Sequence, residues 1–112
     1  MDQQLKGPVA IINVFTVQPE HQQELMNIIT TYSQEVASTK PGFISARFHA
    51  ALDKTRVTSV IYWETQMACQ TFIQSPETRP FLEQCEPLVQ GTDSHFYMVV
   101  ADVLAHDTAQ LG

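Results

Sequence analysis

Basic residues, cysteines and long apolar runs are all scarce in this sequence. Six Lys and Arg stand against twelve Asp and Glu, a formal net charge of −6 with the four histidines neutral. The deficit is local: residues 1–56 carry five charges of each sign, whereas residues 57–112 carry only Arg79 against seven acids. A nucleic-acid module needs a basic stripe and an anionic membrane surface attracts a basic patch, so both function classes are excluded. The two cysteines, Cys69 and Cys85, form no CxxC pair. That spacing argues against a structural zinc site or a disulfide framework and for reduced, buried thiols. No apolar run approaches ~18 residues, the length that spans a bilayer. The lead Met1-Asp2-Gln3-Gln4-Leu5-Lys6 lacks the apolar stretch of a signal peptide, which predicts a cytoplasmic protein. GxSxG, Walker A, HExxH and GxGxxG motifs are all missing. His21, His49, His95 and His106 show no ligand spacing, so no metal is expected.

What is present is the composition of one globular domain. Hydrophobic residues make up 44% of 112 and charged residues 16%, which excludes disorder and leaves too little chain for two cores. The domain occupies residues 1–112, with its core at about 9–104 and a frayed tail over 105–112. Val9–Val17 is β-branched and apolar on both faces, the pattern of a central strand. Pro19-Glu20-His21 opens a helix whose apolar stripe is Leu25, Ile28, Ile29, Tyr32 and Val36, ending before Lys40-Pro41-Gly42. Alternation predicts a strand over Phe43–Leu52, a tight turn at Asp53-Lys54 and a third strand over Arg56–Glu64. Gln66–Ile73 reads as a short helix, and Ser75-Pro76 starts another that breaks at Gly91-Thr92-Asp93. His95–Leu104 reads as the fourth strand.

The order β-α-β-β-α-β predicts an α+β, ferredoxin-like fold: a four-stranded antiparallel sheet with helices on one face. Strands one and four are apolar on both sides, and the helices cover only one. The uncovered face predicts a homodimer with sheets packed face to face, a dimeric α+β barrel.

Polar residues inside apolar strands are the candidates for chemistry. An unpaired buried amide costs on the order of 1–3 kcal/mol, so Asn13 must bond neighbouring backbone or a ligand oxygen. Trp63, the single tryptophan, ends strand three and serves either as core or as a flat wall for an aromatic ligand. Ser59 lies four residues earlier on the same sheet face. His49 carries an imidazole and is a candidate base. Its face depends on register: a two-residue turn pairs Leu52 with Thr55, Phe48 with Ser59 and Ile44 with Trp63, leaving His49 opposite Trp63, and a bulge reverses this. Arg47 shares the face of His49, placed to meet an acid across a dimer seam. Tyr32 points inward from helix one.

The stretches Asn13–Glu20, Pro41-Gly42-Phe43-Ile44-Ser45-Ala46-Arg47-Phe48-His49, and Ser59 through Tyr62-Trp63-Glu64 resemble the antibiotic biosynthesis monooxygenase domains of the dimeric α+β barrel superfamily. The resemblance implies a cofactor-independent monooxygenase that oxidises a polycyclic aromatic, an anthrone or naphthol, to a quinone with O2. In such enzymes the substrate is its own reductant: its carbanion gives an electron to dioxygen, the radical pair recombines, and the peroxide loses water. It also implies catalytic roles for Asn13, Trp63 and His49, and substrate contacts from Ser59, Phe15, Tyr32 and Cys69. Ser59 stands where a second asparagine is expected, and Cys69 where some members have tyrosine. Haem-degrading members carry a helical histidine after the tryptophan, and Thr65–Ser75 has none, so no haem is expected. The alternative is a non-oxidative cyclase or isomerase, or a small-molecule-binding protein, on the same scaffold.

Overall fold

The computed structural model of the chain describes residues 8–106. The elements run β1 (Val9–Val17), α1 (Gln22–Glu35), β2 (Phe43–Ala50), β3 (Arg56–Trp63), α2 (Gln66–Ile73), α3 (Arg79–Cys85) and β4 (Val89–Met98), with short 3-10 turns beside the helices. All pairings are antiparallel, and the strand order is β2-β3-β1-β4. This is the ferredoxin-like arrangement expected from the sequence, with the apolar pattern of β1 explained by its central place.

Each helix is fixed by local chemistry and by one buried stripe. Pro19 sits in the opening 3-10 turn, where a missing N–H is harmless. Leu25, Ile29 and Ser33, four residues apart, form the buried stripe of α1. Lys40 before Pro41 turns extended and ends the helical segment. Gln22 donates its side-chain amide to the carbonyls of Ala51 and Arg56 at 3.0 and 2.9 Å, tying α1 to the β2–β3 loop. The hydroxyl of Thr65 caps α2 by accepting from the Ala68 amide at 3.0 Å.

The helices cover the sheet face that carries the odd-numbered residues of β1. Their core is split. One cluster gathers Val17, Leu25, Ile29, Val57, Cys85 and Leu88. The other gathers Val9, Ile11, Trp63 and Cys69. On the opposite, uncovered face lie Ile12 and Val14 of β1, with Thr58 and Val60 of β3 and Asp93 and His95 of β4 beside them.

Several boundaries and one strand pairing differ from the sequence reading. β4 spans Val89–Met98, not His95–Leu104, and Gly91-Thr92-Asp93 lie inside it. Pro87 lacks an amide donor, and the helical segment closes in a 3-10 turn over Glu86–Leu88, before the glycine. Val17 pairs with Val89 while Thr16 pairs with Gly91, so Gln90 is a bulged residue. β2 stops at Ala50 and not at Leu52, because Asp53 accepts from the backbone and hydroxyl of Thr55 and Lys54 takes a φ of 69°, making the loop longer than two residues. Trp63 pairs with Phe43 instead of Ile44, since β2 bulges between Phe43 and Ser45. Residues 99–106 carry no regular structure, and the predicted tail beyond them, 107–112, lies outside the described residues. Among the described residues no helix is long and apolar enough to cross a membrane.

Gly42 sets the approach of α2 to the sheet. Its φ is +89°, and a Cβ there would stand 2.5 Å from the Ala68 Cβ and 3.8 Å from Cε3 of Trp63. Gly42→Ala is expected to cost about 2–4 kcal/mol in urea unfolding, combining left-handed strain with overpacking. Ala68→Gly in the same chain is expected to return the packing part only.

Candidate active site

The split in the core is a cavity of about 600 Å³. That is within the roughly 300–1,000 Å³ of small-molecule sites. Its floor is one row of the sheet, where Phe48 pairs with Ser59, Ser59 with Asn13 and Asn13 with Ser94. All four line the cavity. Large apolar residues occupy the rows to either side, so the core closes above and below this row but not over it.

Asn13 Nδ2 donates to Ser59 Oγ at 2.9 Å. Ser59 is 3% exposed and Asn13 is half-buried, so this bond gives a buried hydroxyl its partner. Because Ser59 accepts from Asn13, its own hydroxyl hydrogen is left to donate elsewhere. The reading that gave Asn13 only a structural backbone bond is replaced by a side-chain pair that faces a cavity.

Trp63 is 1% exposed and is both core and cavity wall. Phe43 meets it edge-on at 5.5 Å and 85°, and Phe72 lies tilted at 5.5 Å on the α2 side. Tyr32 stacks on Phe81 at 4.1 Å and 11°, and its ring centre is 6.0 Å from Phe72. An aromatic band thus runs from α3 across Tyr32 and Phe72 to the sheet. The Tyr32 hydroxyl and Trp63 Nε1 are buried without a hydrogen-bond partner. Burial pushes the Tyr32 phenol above its ordinary pKa, and the charge of Glu77 adds to the rise. It therefore remains a donor at neutral pH.

Phe15, Tyr32, Ser59 and Cys69, named from the sequence as substrate contacts, all line the cavity, as do Asn13 and Trp63. His49 does not. It pairs with Thr58 and Arg47 with Val60, so both belong to the uncovered sheet face, and both are exposed. The Phe48–Ser59 register survives the longer loop, and the β2 bulge lies beyond His49, too far along the strand to turn it inward. Placing His49 in the site is therefore corrected by the pleat.

Glu86 and Gln90 also line the cavity and were missed. Their signals were Pro87, which ends the helical segment, and the bulge that puts Val89 and Gln90 on one face; only the second was invisible without strand pairing. A second groove of about 680 Å³ adjoins the mouth, lined by Ser75, Arg79 and Glu83 and sharing Ile73, Leu82 and Glu86 with the cavity. It is more polar than the inner cavity and more open to water, whereas the inner cavity is mostly apolar and can strip water from a ligand. Among the described residues no cluster of three or more His, Cys, Asp or Glu is placed to hold a metal.

Comparisons with known proteins agree with this geometry. A family model described as antibiotic biosynthesis monooxygenase matches residues 8–84. The tetracenomycin-F1 monooxygenase of Streptomyces glaucescens is 29% identical over 75 residues, 67% of each chain. A monooxygenase from the gene ActVA-Orf6 of Streptomyces coelicolor, solved in complex with nanaomycin D, is 29% identical with a TM-score of 0.78, over 90% of this chain and 94% of that one. SnoaB of Streptomyces nogalater, described as a cofactor-independent oxygenase, shares the fold at 15% identity and a TM-score of 0.70, over 87% of this chain and 97% of that one.

Burial pushes the thiols of both Cys69 and Cys85 up to about 11 from 9.0. The raised value means that the neutral thiols favour the fold below the unfolded value of 9.0, an advantage lost as pH rises through about 11. Iodoacetamide at pH 8 is expected to leave both cysteines of the native chain unmodified and to alkylate both in urea, read by intact mass. For the Asn13–Ser59 pair, Ser59→Ala is expected to cost about 1–2 kcal/mol by orphaning an amide, and adding Asn13→Val to recover most of it in the same unfolding assay.

Proposed function

Since the chain belongs to the antibiotic biosynthesis monooxygenase family, we propose that it oxidises a polycyclic aromatic of the anthrone or naphthol type to a quinone, using O2 and no cofactor. The observation that carries this reading is the inner cavity itself: apolar, ring-sized, walled by Trp63 and floored by the Asn13–Ser59 pair. Relatives named for tetracenomycin F1 oxidation, or solved with nanaomycin D, support a polyketide-tailoring role. The description of SnoaB supports the absence of a cofactor.

In this reading the substrate supplies the electrons. A proton passes from the ring carbon to water, giving a carbanion conjugated with the neighbouring oxygen, and is returned to the peroxide that forms later. One electron passes to O2, giving superoxide and a substrate radical, and these combine into a peroxide. The peroxide loses water, so that CH2 and O2 become C=O and H2O. The protein holds the ring against Trp63 and excludes bulk water. The Ser59 hydroxyl, positioned by Asn13, donates to the oxygen on which charge develops. With His49 on the other face and both thiols held neutral, the site's contribution is stabilisation of the substrate anion rather than a strong resident base.

We also propose that the working form is a homodimer through the uncovered sheet face. Ile12, Val14, Val60 and Tyr62 supply an apolar centre to that face. Arg47 and Asp93 sit on the strands at its opposite edges, so opposite charges meet where β2 of one copy crosses β4 of its partner. Val100, Val103 and Leu104 are 85%, 92% and 88% exposed in the single chain, an apolar segment in need of cover. Sedimentation equilibrium is expected to show a dimer, and Val60→Glu a monomer.

The function is tested with an oxygen electrode. Metal-stripped protein with an anthrone is expected to consume one O2 per quinone formed. Trp63→Phe is expected to lower kcat/KM about 10- to 100-fold, roughly 1.4–2.7 kcal/mol in the transition state, while the chain stays folded. Equal rates with and without protein would rule the reading out.

A further inference from the structure

Deprotonation is the step for which the cavity holds the fewest suitable groups. Tyr32, Cys69 and Cys85 keep their protons at neutral pH, because burial raises all three. His49 lies on the other sheet face. Asn13, Ser59, Gln90, Thr92 and Ser94 are uncharged. Among the described residues that line the cavity, Glu86 is the one charged side chain, and there is no Lys or Arg.

Glu86 also lines the outer groove, so it stands where the apolar cavity meets water. Its backbone is fixed on both sides: Cys85 before it and Leu88 after it are buried in the core, and Pro87 stiffens the turn between them. Its carboxylate does not hold the fold together. The ion pairs among the described residues are Lys40–Glu77 and Asp93–His95, and neither includes it. Glu86 is also the C-cap residue of α3, an end of the helix where the dipole favours a cation. A carboxylate kept there, unpaired and facing a cavity, points to a use for its charge.

Charge balance supplies that use. If the ring proton left for bulk water, the substrate anion and the Glu86 carboxylate would share one apolar cavity with no cation. Like charges repel strongly where water is scarce. If the proton goes to Glu86 instead, one negative charge moves from carboxylate to ring and the total is unchanged.

Resting on the monooxygenase reading, we propose that Glu86 is the proton carrier of the reaction, taking the ring proton through a water at the cavity mouth and returning it to the peroxide. The C–H bond breaks, its electron pair stays on the ring, and the proton ends on a Glu86 oxygen. After electron transfer to O2 and radical recombination, Glu86 returns the proton to the terminal peroxide oxygen. The second ring proton then leaves, its electron pair completes C=O, and the O–O bond breaks to release hydroxide, which takes up that proton as water. Glu86 is again a carboxylate, and CH2 and O2 have become C=O and H2O.

The test separates proton removal from oxidation. Anthrone in D2O without O2 is followed by NMR for deuterium entry at its ring CH2, with the full chain added. The chain is expected to speed this exchange above the rate in buffer. Glu86→Gln is expected to slow the protein-catalysed exchange about 100-fold. Anthrone binding, read by tryptophan fluorescence, is expected to stay unchanged in that variant, and its melting temperature to be equal or higher. Glu86→Asp is expected to retain part of the exchange, and added formate to restore part of it to Glu86→Ala. Undiminished exchange in Glu86→Gln overturns the proposal, as does loss of exchange together with binding or stability, the pattern of a structural role. Exchange by the wild-type chain no faster than in buffer also overturns it, and oxygen uptake by the same chain would then leave the monooxygenase reading standing. Glu86-dependent exchange with no oxygen uptake once O2 is admitted supports Glu86 as the proton acceptor and rejects the monooxygenase reading.

Discussion

Ser59, Asn13 and Ser94 lie side by side across three strands on the helix-covered face of the sheet, and the site depends on that polar row. Its neighbours along the strands, Val57 and Ile61 on β3 and Ile11 and Phe15 on β1, are apolar and pack beneath the helices. The polar row cannot join them without leaving an amide or hydroxyl unpaired, so the core divides there. Asn13 and Ser59 satisfy each other at 2.9 Å, which makes the division tolerable in the empty protein and leaves a hydroxyl hydrogen for a ligand. A fully apolar row would close the core and improve stability at the expense of the cavity, the familiar tension between stability and function.

The roof of the cavity follows from two backbone devices. Gly42, with its φ of +89°, lets α2 lie against the strand ends so that Cys69 and Phe72 reach Trp63. The bulge at Gln90 keeps Val89 and Gln90 on the inner face, closing the β4 side. The ion pair between Lys40 and Glu77 joins the turn after α1 to the turn before α3, and those helices carry Tyr32 and Phe81. Wall, floor and roof therefore come from elements far apart in sequence. Rigid elements surround the cavity, which is what orientation-dependent chemistry requires.

Much of this was legible in the residues. β1 and α2 fall where β-branching and helical spacing put them, because each has a strong period and clear end signals. The inward faces of Asn13, Ser59 and Trp63 follow from strand alternation alone. β4 was misplaced because Gly91-Thr92-Asp93 has turn composition, yet pairing with β1 overrides that local preference and holds it as strand. His49 was ambiguous for a different reason: a one-residue slip exchanges the faces of a strand, and loop length and bulges are not written in composition. Gln90 could not be read as a cavity residue without the β4 register. The uncovered face was visible as apolar residues on both sides of β1. Its extent was not, since the segment after Met98 leaves the sheet.

The central claim is that the cavity beneath the helices is where the aromatic substrate binds and reacts. Trp63 is the single tryptophan of the chain and forms the wall of that cavity, so its emission reports the site directly. The most direct measurement is an anaerobic titration of the full chain with an anthrone, following tryptophan fluorescence. Saturable quenching at one ligand per chain, followed by quinone release when O2 is admitted, is the predicted result. Unchanged emission at ligand concentrations that support oxygen uptake would place the chemistry elsewhere and contradict the account.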